Sequence, residues 1–182
     1  VEQSIEKYTM LEDKERAIAE IMHTYGDDVL RLVYTYVRNQ AIAEDLTQEI
    51  FIKCYTNLHK YNGTSKLKTW LWRIAINQCK DYLKSWYNRK VIAVGEETLR
   101  QKEEPLGTEE KVVRGFMDVE LITAVMQLPP KYREVIYLYY YEEMTAKEIG
   151  NVTKKSENTI KTRLKRAKEL LENQLGGDLY DG

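Results

Sequence analysis

Proline and glycine are scarce in this chain, three and nine among 182 residues. That shortage removes the turn signals a β-sandwich or barrel needs every ~8–12 residues. No window alternates β-branched and polar side chains, so an all-α protein is expected. Also missing is any run of ~18 uncharged apolar residues, which excludes a spanning helix and direct membrane insertion. Residues 1–16, VEQSIEKYTMLEDKER, are charged where a secretory leader carries its apolar stretch, so the chain reads as cytoplasmic. Val1 in place of Met points to trimming or an alternative start. Cysteine is limited to Cys54 and Cys79, both in helix-like runs. Two are too few for a disulfide framework and read as small buried hydrophobes. With His23 and His59 the only histidines, a structural zinc site cannot assemble its ligands in close pairs. Neither a metal nor a cofactor is expected. P-loop, nucleophile-elbow, zincin and dinucleotide motifs are absent as well, which argues against an enzyme.

What the chain does have is charge, distributed unevenly behind a net of −1. Residues 53–90 carry nine Lys and Arg against Asp81 alone, and residues 151–168 carry seven against Glu157 alone. Acid predominates in residues 1–52, and the stretch between the basic segments holds the doublets Glu96 and Glu97, Glu103 and Glu104, Glu109 and Glu110. Two basic patches separated by acid are the footprint of a protein touching nucleic acid at two places; the competing reading is two solvated helix faces.

Apolar residues recur at helical spacing through Val29, Val33, Tyr36 and Val37, then Ala43, Leu46, Ile50, Cys54 and Leu58, then Leu67, Leu71, Ile74, Ala75 and Tyr82. Three amphipathic helices, with a shorter one before them at about 11–24, make a bundle within a first domain, residues 1–92. Residues 93–117 lack apolar periodicity and contain Gly95, Pro105, Gly107 and Gly115, a flexible acidic linker. A second small helical domain follows, residues 118–182. Its first helix stops at Leu128-Pro129, and Pro130 suits the first turn of the next. Thr145-Ala146-Lys147-Glu148 spells a capping box opening a short helix. Ser156 caps a longer one with Ile160, Leu164, Ala167 and Leu171 inward. A short helix, a tight turn and a longer helix match a helix-turn-helix. A structural hairpin would share the pattern, and a turn without Gly favours it. The polar residues Glu157, Asn158, Thr159, Lys161, Thr162 and Arg163 at the start of the second helix favour DNA.

With these residues assembled, the chain resembles the extracytoplasmic-function group of bacterial RNA polymerase sigma factors from about residue 20 to 175. Asp45-Leu46-Thr47-Gln48-Glu49-Ile50-Phe51 is similar to the family's region 2.2. Thr69 to Asn77, TWLWRIAIN, with Asp81-Tyr82-Leu83-Lys84 resembles regions 2.3 and 2.4. Leu128-Pro129, Arg133-Glu134-Val135-Ile136, Met144-Thr145, Glu148-Ile149 and Asn158 to Ala167 resemble region 4. The chain departs from the family in the turn, where Lys154 and Lys155 stand for the usual Gly and aliphatic residue, and at Asn158, where Gly is frequent.

The resemblance implies a factor that binds core RNA polymerase, reads the −10 and −35 promoter elements and promotes strand opening. An anti-sigma factor, often membrane-anchored in the family, is an implied partner. Asp45, Gln48 and Glu49 share one helix face and would meet the polymerase clamp helices, the alternative being plain solvation. The loop with Tyr61, Asn62, Gly63, Thr64, Ser65 and Lys66 would capture a flipped −10 base, and Asn77, Lys80 and Lys84 would track that strand. Trp70, Trp72 and Trp86 read equally as core anchors or stacking surfaces. Among −35 contacts, Asn158, Lys161 and Thr162 are assigned to bases and Lys155, Lys165 and Arg166 to phosphates, with Ser156, Glu157, Thr159 and Arg163 completing the surface. The linker glutamates either imitate RNA phosphates in the polymerase channel or form a solvated tether.

Overall fold

The structure, a computed structural model, describes residues 11–94 and 119–175; the acidic segment read as a linker lies almost wholly outside them. The described residues are helical, with no strand. Helix α1 spans Leu11–Val37, α2 Gln40–Asn57, α3 Leu67–Val94, α4 Val119–Gln127, α5 Pro130–Ile136, α6 Ala146–Thr153 and α7 Glu157–Leu175. A 3₁₀ turn, Leu58–Lys60, follows α2, and α5 runs into a π-helical turn, Tyr137–Tyr141.

Two sequence expectations are corrected. The separate helices anticipated at about 11–24 and from Val29 are one continuous helix, α1. The reason is that the buried stripe Ala17, Ile21, Val29, Leu32 and Tyr36, with half-buried Tyr25 packed against it, never breaks its period. A Cβ added at Gly26 would meet nothing within 4 Å, so the glycine serves no close approach and merely weakens the helix. The third helix also runs to Val94, two residues into the segment read as linker.

Because glycine is scarce, helix ends are turned by other residues in the left-handed region. Arg38 (φ 55°), Glu143 (φ 53°) and Lys154 (φ 58°) each close a helical segment, at a conformational cost on the order of 1 kcal/mol apiece. After Arg38, Asn39 restarts the helix by accepting the Ile42 N–H at 3.0 Å. Pro130 stands at the first position of α5, as its sequence setting suggested.

Helices α1, α2 and α3 pack mutually into a three-helix bundle, and α7 packs on α4, α5 and α6. The two groups are not separate: α3 lies against α6 and α1 against α5, and their buried side chains form one continuous cluster. Cys54 and Cys79 are buried in the bundle, where desolvation pushes both thiols up to about 12. Trp72 is fully buried, with the Tyr25 ring edge-on at 6.0 Å, so it is a core anchor. Trp70 and Trp86 are half-buried.

Candidate nucleic-acid interface

The helix-turn-helix is built by caps at both of its helices. Thr145 Oγ1 accepts the Glu148 N–H at 3.2 Å, and Glu148 Oε2 accepts the Thr145 N–H at 2.9 Å, closing the capping box read from sequence. These bonds hold the Glu148 carboxyl below its ordinary range. Lys154 turns the chain, and the Lys155 N–H donates to Gly150 O at 3.0 Å. Ser156 Oγ then accepts the Thr159 N–H at 3.2 Å and opens α7. Ile160, Leu164, Ala167 and Leu171 are buried, as their spacing required.

The opposite face of α7 is open to solvent. Asn158, Lys161, Thr162, Lys165 and Arg166 are exposed there, with Lys155, Ser156 and Glu157 exposed at its approach and Thr159 half-buried. Several of these cations carry surface pairs: Lys161 Nζ lies 2.7 Å from Glu157, and Arg166 lies 2.7 Å from Glu169. Such exposed pairs are weak. Arg163 is different. It is half-buried, with Nη1 3.6 Å from Glu134 Oε2. Residues that sequence reading missed join this surface: Lys131 and Tyr132, on the first turn of α5, line a cleft with Asn158, Thr162 and Arg166. Only packing brings α5 beside α7, so no local pattern announces them.

The second basic surface runs from the loop before α3 along that helix. Asn62 Oδ1 accepts both the Thr64 N–H (3.2 Å) and the Thr64 hydroxyl (2.8 Å), an Asx-type turn that Gly63 completes at φ 73°. Tyr61 is not freely presented. Its hydroxyl donates to Ser65 O at 2.7 Å and its ring lies 5.4 Å from that of Trp70, so it frames the loop. Asn62, Gly63, Thr64 and Lys66 are exposed, Ser65 and Asn77 half-buried, and Lys84 exposed further along α3. Lys80 is engaged elsewhere, 2.7 Å from Glu134 Oε1.

On α2, Asp45, Gln48 and Glu49 are all exposed on the face opposite Ala43, Leu46, Ile50 and Cys54. Glu49 Oε2 accepts from Gln78 Nε2 at 2.6 Å, and Lys53 donates to the same Gln78, tying this face to α3. Ile52, 65% exposed, extends the acidic face with an apolar side chain that sequence reading overlooked. Helical spacing places it one turn from Gln48. Among the described residues no group of three or more His, Cys, Asp or Glu converges as a metal site would need. No described helix is long and apolar enough to cross a membrane.

Two family models match the chain: Sigma-70 region 2 over residues 21–88 and Sigma-70 region 4 over residues 118–171. The ECF RNA polymerase sigma factor SigW of Bacillus subtilis (strain 168) is 34% identical over 166 residues, covering 87% of this chain and 89% of the relative. SigM of the same organism, also an ECF RNA polymerase sigma factor, is 31% identical over 162 residues, covering 85% and 93%. Among solved structures, the sigma factor RpoE in complex with the anti-sigma factor NepR from Bartonella quintana shares the fold. Its TM-score is 0.69 at 18% identity, covering 90% of this chain and 99% of that one. CnrH in complex with the cytosolic domain of CnrY has a TM-score of 0.63 at 18% identity, covering 97% and 95%. Matched in both regions and along most of its length, the chain belongs to the sigma-70 family, in its extracytoplasmic-function group, as a promoter-recognising transcription initiation factor for RNA polymerase.

Proposed function

We propose that this chain divides initiation among three surfaces: α2 for core polymerase, the 61–66 loop with α3 for the −10 strand, and α7 for the −35 duplex. The observation that carries this reading is the solvent face of α7. There Asn158, Lys161, Thr162, Lys165 and Arg166 stand clear of the protein on the second helix of a capped helix-turn-helix. A major groove admits one such helix, amides and cations reach base edges, and the remaining cations neutralise phosphates. Asp45, Gln48 and Glu49, extended by the exposed Ile52 one turn on, form an acidic face with an apolar end that suits a basic helical surface on core polymerase.

Strand opening falls to the loop. Asn62, Gly63 and Thr64 form an exposed tight turn, Lys66 and Lys84 supply charge, and the half-buried Asn77 lies along the same helix. A base leaving the duplex loses a few kcal/mol of stacking and pairing, which a shaped polar pocket offsets. The linker glutamates, outside the described residues, either mimic RNA phosphates in the polymerase or serve as a tether. The chain performs no reaction of its own; its work is positioning and melting, done where polymerase and promoter are. An anti-sigma factor is a fitting partner, since RpoE and CnrH, which share this fold, were each solved with a bound protein partner.

The test is reconstitution. Purified chain added to core polymerase should give promoter-dependent abortive transcripts from a linear duplex, and Asn158→Ala with Thr162→Ala should reduce them only where a −35 element is required. Comigration with core polymerase without promoter-dependent initiation would refute the reading.

A further inference from the structure

Where the ends of α1 and α4 meet α5, two guanidinium groups come together without an acid. Arg133, on α5, is only 3% exposed. Its Nη1 donates to Met126 O at 2.9 Å and to Leu128 O at 3.3 Å, at the end of α4, and its Nη2 donates to Tyr36 O at 3.4 Å, at the end of α1. Arg38 follows that carbonyl by two residues. It is half-buried, and its Nε is shut off from solvent with no hydrogen-bond partner. Among the described residues, neither guanidinium has a carboxylate within ion-pair distance. Glu134, next to Arg133 in sequence, turns its oxygens to Lys80 and Arg163 instead.

Main-chain carbonyls satisfy N–H groups of Arg133, but they do not balance the charge of the pair. The C-terminal ends of α1 and α4 each supply about half a negative charge, against two full positive ones. Helix α2 adds to the excess, since it begins at Gln40, two residues after Arg38, with no acid in its first turn. Arg133 registers the imbalance: burial first and the Arg38 charge second bring its guanidinium down to about 10. A buried donor without a partner is costly, and a buried charge without a counter-ion is costlier still. One oxyanion would answer both, with a lone pair for Arg38 Nε and negative charge for the two cations.

We propose that Arg38 and Arg133 form an anion site that takes a phosphate group where α1 ends, α2 begins and α5 packs against them. Guanidinium forks match phosphate oxygens in geometry as well as charge. A phosphate dianion balances both arginines, whereas a carboxylate leaves one of them unbalanced. Because Arg38 is half-buried and Arg133 is not exposed, the group enters past Arg38. Free phosphate and the end of a small phosphomonoester present the same chemistry there. Neither arginine is among the residues assigned above to polymerase or to DNA.

The test compares the full chain with Arg38→Gln and with Arg16→Gln, a control that makes the same charge change at an exposed position of α1. Inorganic phosphate replaces chloride at constant ionic strength and slightly alkaline pH, with binding read by calorimetry and melting followed in parallel. The parent should bind phosphate at a single site, and its melting temperature should rise by about 3–6 °C at ten times the Kd. Arg16→Gln should match the parent. Arg38→Gln should bind about tenfold more weakly or worse and lose the rise. Arg38→Gly, which suits the φ of 55° at this position, makes the same comparison if Arg38→Gln does not fold. A rise shared equally by the parent and the Arg38 variants is the general effect of an excluded salt, and overturns the site. Acetate bound by the parent as tightly as phosphate overturns the assignment to phosphate. Phenyl phosphate separates the two sources: binding at least as tight as that of inorganic phosphate identifies a phosphomonoester site, and much weaker binding identifies a site for the free ion.

Discussion

A methyl group added at Gly150 would stand 2.7 Å from the carbonyl oxygen of Lys155, closer than a Cβ atom comes to a neighbour in real proteins. Gly150 lies inside α6 and Lys155 in the turn that leads to α7, so this approach sets how the second helix leaves the first. Gly150→Ala should force that turn apart and lower stability by about 1–3 kcal/mol. Loss of −35 discrimination should accompany it, since α7 would be re-aimed. Thermal melting together with binding to −35 variants checks this; an unchanged melting temperature would mean that the turn is softer than its geometry implies.

Four residues after Gly150, Lys154 occupies a left-handed conformation that suits glycine. Lys154→Gly should stabilise the chain by about 0.5–1 kcal/mol, the relief of strain being offset in part by added freedom in the unfolded state. Calorimetry on both proteins at one pH and one salt concentration would show the gain. A loss would indicate that the Lys154 side chain makes compensating contacts.

On α2, Asp45→Arg with Glu49→Arg should weaken core polymerase binding with little effect on melting, because both side chains are exposed. Glu49 also holds Gln78, so a small stability loss, under about 1 kcal/mol, is expected from that residue alone. Ile52→Ala should weaken the same binding without changing charge, because its exposed side chain supplies apolar contact beside the acidic residues. Pull-down with core polymerase, read beside thermal melting, separates the two contributions.

Asn62 is expected to have two duties that one substitution can divide. Its Oδ1 closes the loop through Thr64, while the exposed amide end is free to meet a base. Asn62→Asp keeps the acceptor and so preserves the loop; Asn62→Ala removes both. Permanganate reactivity should fall in both variants on a linear duplex, and a pre-melted bubble should restore Asn62→Asp more fully than Asn62→Ala. Equal rescue of the two would show that the loop-closing bond has no part in opening, and would leave Asn62 with the base contact alone.

The recognition helix separates base readers from phosphate binders by their response to salt. Alanine at Asn158, Lys161 or Thr162 should relax −35 preference, each good contact being worth about 1–3 kcal/mol. Alanine at Lys165 or Arg166 should weaken all sequences alike and reduce the salt slope by about one unit per lost contact. Arg163 belongs to neither group, because Glu134 holds it half-buried. Holoenzyme on a library of −35 variants at several salt concentrations measures both effects; an untouched preferred sequence would remove the base assignments.

Periodicity, caps and turn residues are local properties, and the sequence by itself determined what depends on them. The stripes of α2 and α7, the capping box at Thr145 and Glu148, the start of α5 at Pro130 and the helix-turn-helix all follow from residues within a few turns of one another. So did the family, since its motifs are contiguous. The continuity of α1 was also written locally, in an unbroken stripe, yet a short helix at about 11–24 and a second from Val29 were read where packing against α2 and α3 leaves one helix. Tertiary structure alone decided the rest. Glu134 reads in sequence as one more helical glutamate, and only folding buries it between Tyr36, 98 residues away, and Lys80 and Arg163. Lys131 and Tyr132 likewise acquire their place beside Asn158 from the packing of α5 on α7. A buried carboxylate is stable only where cations and donors from distant segments converge on it. No window of neighbouring residues encodes that convergence.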